Sequence, residues 1–148
     1  MSKKIPQAID ELRSSSARLN KLTNEAAVVI KRVEDFLNKE CSVGARASVL
    51  VSEHDHDDEQ VIESQYLAYC RIGSRYRIAV VWVVSDDPDS RTEKPWSDCT
   101  RDDKIETLEK LPDLITEISK KLASKIKLAE KSLATASEVA NALVGKAG

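Results

Sequence analysis

The chain is poor in the residues from which most enzyme sites are built. Its 148 residues include only 4 glycines, 4 prolines, 3 cysteines, 2 histidines and a single phenylalanine. So few glycines leave little room for a phosphate-cradling loop or a dinucleotide fingerprint, and neither a G-x-S-x-G elbow nor any other nucleophile arrangement occurs. Cys41, Cys70 and Cys99 are odd in number and match no metal or redox spacing, which points to reduced thiols and a cytoplasmic compartment. No run approaches the ~20 apolar residues of a membrane span, and the first residues carry no secretory apolar core. No cofactor and no membrane partner are expected.

What is present is charge and period. Charged residues make up 32% of the chain and aromatic ones 4%. The apolar residues recur at regular intervals, which argues against disorder. Ala8, Leu12, Ser15, Leu19, Leu22, Ala26, Val29, Val33 and Phe36 alternate spacings of four and three, the stripe of a helix that packs on another helix. A second stripe runs from Ile115 through Ile118, Leu122, Ile126, Ala129 and Leu133 to Leu143. These patterns predict long helices over 6–40 and 112–144, of nearly equal length and roughly 50 Å each at ~1.5 Å per residue. They are expected to pair antiparallel as a stem.

Between them lies Val61 to Ser85, two runs rich in β-branched and aromatic residues joined through Gly73-Ser74. Glycine can take the positive φ at the first position of a II′ turn, so the pair reads as a hairpin. A two-residue loop fixes the register. Ile72 then faces Arg75, Cys70 faces Arg77, Ala68 faces Ala79 and Tyr66 faces Val81. The other face pairs Tyr69 with Ile78, Leu67 with Val80 and Gln65 with Trp82. It is the bulkier face and the expected core side. Ala45, Ala47, Val49 and Val51 alternate with polar residues over 45–52, the pattern of a half-buried strand. The simplest topology is a three-stranded antiparallel meander over 45–85. A turn at 54–60, an irregular loop at 86–99 pinned by Trp96, and a short helix at 100–110 complete it. Ser97 or Thr100 would cap that helix, and Pro112 would separate it from the next. The whole of 1–148 reads as one α+β domain.

Net charge is segregated. Residues 53–103 hold 13 acids and 6 bases, whereas 1–52 hold 9 bases and 6 acids, and 104–148 hold 8 and 6. An acidic head of this kind disfavours nucleic acid, whose phosphates need clustered Lys and Arg. A meander would bring the 54–59 segment and the 86–89 segment to one end of the sheet. His54, His56 and Asp58 there are candidates for holding a cation, since two imidazoles and a carboxylate can bind zinc or manganese and activate water. Solvated acids facing a partner are the commoner use of such a segment. Arg75 and Arg77 sit near the hairpin tip as edge charges or as a docking point for an acidic partner.

Helix, β-hairpin, helix resembles the layout of a prefoldin-type chaperone subunit, in which a coiled coil carries a small β assembly region. The likeness is one of layout. The strand at 45–52, the loop at 86–99 and the break at Pro112 depart from it. The residues favour a non-enzymatic protein-interaction module that binds a partner or itself. Its candidate contact residues are Tyr66, Val81 and Val83 on the smaller sheet face, Arg75 and Arg77 at the tip, and Asp86 and Asp87 on the rim. The alternatives are a metal-dependent hydrolase using the 54–59 and 86–89 acids, and a prefoldin-like chaperone.

Overall fold

Gly73 has φ +66°, and a Cβ built on it would meet nothing within 4 Å, so the backbone conformation alone demands glycine. This turn joins β2 (Val61–Ile72) to β3 (Arg75–Val84) in the expected register, from Ile72 opposite Arg75 to Gln65 opposite Trp82. The computed structural model describes residues 3–56 and 61–147. Among these the fold is α+β, with long helices before and after an antiparallel sheet ordered β1-β2-β3-β4.

The sheet has four strands rather than three. β4 (Asp87–Pro95) occupies most of the stretch expected to be a loop, and it pairs with β3 from Val84 opposite Asp87 to Ala79 opposite Pro95. Its sequence, DPDSRTEKP, has no apolar alternation because an edge strand can face water and tolerate proline. β1 (Ala47–His56) is the other edge. It runs through His54 and His56, which pair with Glu63 and Val61, where a turn was expected. A bulge between Leu50 and Ser52 leaves Val51 as the extra residue.

One face of the sheet carries the core. Leu67, Tyr69, Ile78 and Val80 pack with Ile30 and Leu37 from one helix, Leu114 and Ile118 from another, and Trp96. The first helix is α1 (Lys4–Asp35), which continues through a π-helical turn at Phe36–Glu40. α2 (Arg101–Leu108) is capped by Thr100, whose hydroxyl accepts the Asp103 N–H at 3.2 Å. α3 (Leu111–Ala147) starts one turn later with Pro112 in its first turn, where no N–H is needed. Trp96 does pin its segment. It is buried, its indole N–H donates to Thr107 Oγ1 at 3.1 Å, and the Lys104 ammonium lies 5.3 Å from its ring centre.

The long helices do not form a stem. Along α1, Ile30 lies by Trp96, Glu34 meets Ile78 and Asn38 meets Tyr76, so α1 advances over β3 towards the Gly73 turn. Along α3, Leu114 and Ile118 enter the core beside β1 and β2, and Lys121 to Leu128 then reach Gly44, Arg46 and Tyr76. Both helices therefore run the same way, side by side on one face, and overhang opposite ends of the sheet. Each buries only the turns that cross the sheet, which is why matched heptads do not make an antiparallel pair here.

Candidate interaction surfaces

The overhangs are the least satisfied parts of the molecule. Residues 3–18 of the α1 side and 123–145 of α3 are exposed throughout. Leu12 and Leu133, at the middle of the two stripes, are 67% and 68% exposed. Single helices of this length are marginal in water on propensity alone, and an apolar stripe on one stands in need of a partner. We refer to these overhangs as the α1 arm and the α3 arm. Where the α1 arm meets the body, Leu19, Leu22 and Ala26 of α1 and Ile105 and Leu108 of α2 line an open groove of about 220 Å³. Lys104 stands at this groove, and Arg101 ties α2 to α1 by donating to Asn20 Oδ1 at 2.8 Å.

The smaller sheet face is largely closed by its own chain. Ala68, Cys70, Ala79 and Val81 are buried there, with Tyr66, Ile72 and Val83 partly so. α2 packs on α1 and Trp96 on the opposite face, so it is not the cover. The small side chains of Ala68, Cys70 and Ala79 leave a trough, and long side chains from both edges lie across it. Arg46, preceding β1, meets Glu93 of β4 at 3.2 Å, and Arg91 meets the same carboxylate at 2.7 Å. Under this cover burial raises the Cys70 thiol above its usual range; Glu93 adds to the rise and Arg46 opposes it.

The remaining sequence candidates are scattered. Tyr66 and Val83 are half-buried beside Arg91. Arg77 turns round the edge left open beyond Pro95, where its guanidinium donates to Glu34 Oε1 at 3.3 Å and to Ser97 at 3.2 Å. Arg75 is exposed near Asp35. Asp86 and Asp87 are exposed in and after the β3–β4 turn, where the Asp87 carboxylate accepts the Asp89 N–H at 3.2 Å. This turn does lie beside the start of β2, since Ser85 and Ile62 exchange two hydrogen bonds of 2.9 Å. His54 is exposed on β1, and Asp58 lies outside the described residues. Among the described residues no three His, Cys, Asp or Glu side chains gather as a metal site.

A hollow of about 370 Å³ near the hairpin tip is lined by Asn38, Ser42, Gly44, Tyr69, Arg75 and Tyr76. Three of its polar groups are engaged with one another. The Tyr69 hydroxyl donates to Asn38 Oδ1, and Asn38 Nδ2 donates to the Tyr76 carbonyl at 2.9 Å. The rings of Tyr69 and Tyr76 stack at 5.2 Å. Burial first, then Tyr76 and Glu34, push the Tyr69 phenol up to about 12, so it stays protonated and serves as a latch between the π-helical turn and the sheet.

The arms were visible in the sequence as heptad stripes, but the stripes were expected to satisfy each other. The signal that could have separated them is length: a helix of 32 residues outruns a sheet of 9- to 12-residue strands packed on its last turns. Among the described residues no helix is long and apolar enough to cross a membrane, so the stripes are not spans. No protein-family model, no curated protein and no solved structure matches the chain.

Proposed function

We propose that this chain is a non-enzymatic protein-interaction module whose contact surfaces are its two helical arms. The observation that carries the reading is the exposure of Leu12 and Leu133 within helices that are apolar on one side and polar on the other. A periodic stripe of this kind fits another helix better than it fits an irregular unfolded segment, because knobs must meet holes at fixed spacing. The acidic end of the sheet, with Glu53, Asp55 and Asp86, adds selectivity for basic partners rather than much affinity.

The test is a photo-crosslinking side chain placed on either face of each arm. At Leu12 and Leu133 it should form defined protein adducts. At Ser14 and Lys131, about 200° round the helix from those positions at 100° per residue, it should form few or none. Equal labelling of both faces would overturn the reading.

A further inference from the structure

The two arms belong to one chain, leave opposite ends of the sheet and point the same way. Neither can reach the other within a molecule. In a second copy displaced along the helix direction, the α3 arm of the first copy comes beside the α1 arm of the second, parallel to it. We propose that copies of this chain associate head to tail through a parallel pairing of the α3 arm with the next copy's α1 arm. This rests on the interaction reading and names the partner: a second copy of the chain.

Two features of the molecule support that occupant. The first is side-chain size along the stripes. A single constant offset sets Ile5 beside Ile126, Leu12 beside Leu133 and Leu22 beside Leu143, with small residues between them at Ala8 and Ala129 and again at Ser15 and Ala136. Large residues thus share layers with large and small with small, except where Leu19 meets Ala140, as a parallel heptad pair in one register favours. The same offset brings Lys4 and Glu130 to flanking positions of opposite charge.

The second feature is the groove. In this register Leu143 arrives next to Leu22, at the apolar opening lined by Leu19, Ala26, Ile105 and Leu108. The pairing therefore ends against the body of the next copy rather than in solvent. Two helices of ~10 Å diameter in contact over about 27 Å remove on the order of 1,000 Å² of combined surface, and the groove adds to it, which reaches the range of a specific interface.

A heterologous contact of this kind grows into an open chain or closes as a ring.

Register-specific disulfides test it. In a Cys41→Ser background, Ser15→Cys and Ala136→Cys place thiols in one layer of the proposed pair, while Cys70 and Cys99 stay buried. Under mild oxidation each single variant should remain uncrosslinked, their mixture should give a two-chain product, and the double variant should give a ladder of three and more chains. Dimers from either single variant alone would overturn the proposal in favour of a two-fold pairing. A double variant with native melting and no ladder would overturn it as well. If face-specific adducts at Leu133 persisted in that case, the arms would bind a different protein and the interaction reading would survive. Loss of both results would remove both.

Discussion

Glu34 reaches from α1 to the exposed edge of β3 and accepts the backbone N–H of Ile78 at 3.1 Å. β4 stops pairing at Ala79, so this N–H has no strand beside it, and the carboxylate takes the place of a strand carbonyl. Its other oxygen accepts from Arg77 at 3.3 Å, which fixes the angle at which α1 lies on the sheet. Glu34→Ala should cost about 1–3 kcal/mol, the usual penalty for a buried donor left unpaired, whereas Glu34→Gln keeps an acceptor and should cost less. Urea denaturation of the two variants ranks them; equal losses would show that the hydrogen bond to Ile78 contributes little.

Val81 is 2% exposed beneath the side chains that span the smaller face. Val81→Glu should destabilise the fold by at least ~2 kcal/mol through an unpaired buried carboxylate, and it should do so at every protein concentration. Arg46→Ala, which breaks the ion pair but leaves the strands intact, should cost under about 1 kcal/mol because that pair is half exposed. Thermal melts decide it. A folded Val81→Glu protein that has only lost association would make this face the contact surface instead of the arms.

The three thiols should behave differently. Cys41 is exposed and should react at once with a disulfide reagent near pH 8, while Cys70 and Cys99 should react only on unfolding. Burial, then Asp103, push the Cys99 thiol up to about 11 from an ordinary 9.0. The folded state therefore holds this proton where the unfolded state has released it. The stabilisation is complete below pH 9.0 and is lost as pH rises through about 11. Replacing Cys99 by Ala should flatten the decline in stability over that interval, measured by urea titration at stepped pH. An unchanged slope would assign the decline to other groups.

Aspartate substitutions should separate arm from body. Leu12→Asp, on an exposed turn, should change monomer stability by less than ~0.5 kcal/mol. Leu114→Asp, fully buried under the sheet, should cost at least ~3 kcal/mol or prevent folding. Comparable denaturation midpoints for the two would contradict the burial of α3's first turns.

These contrasts show which parts of the molecule its sequence disclosed. The β2–β3 register was legible because Gly73-Ser74 allows one pairing and the side chains of one face are larger than those of the other. β4 was not legible, since Asp87 to Pro95 is an edge strand whose ladder depends on backbone groups rather than on apolar alternation. β1 was cut short for the same reason at His54. The stripes over Leu12 and Leu133 revealed that each helix has an apolar side, and nothing in a heptad says whether its partner lies in the same chain. The direct contact of Arg46 with Glu93 had no sequence signal at all, because it depends on a trough made by Ala68, Cys70 and Ala79.

The most direct measurement is the molar mass of the wild-type chain by light scattering across a concentration series, beside Leu133→Asp. Arms that are contact surfaces between copies predict a wild-type mass that rises above the monomer with concentration, and a variant that stays monomeric and melts as the dilute wild-type monomer does. A wild-type protein that stays monomeric throughout, or a variant that associates as the wild type does, would contradict head-to-tail association through the arms.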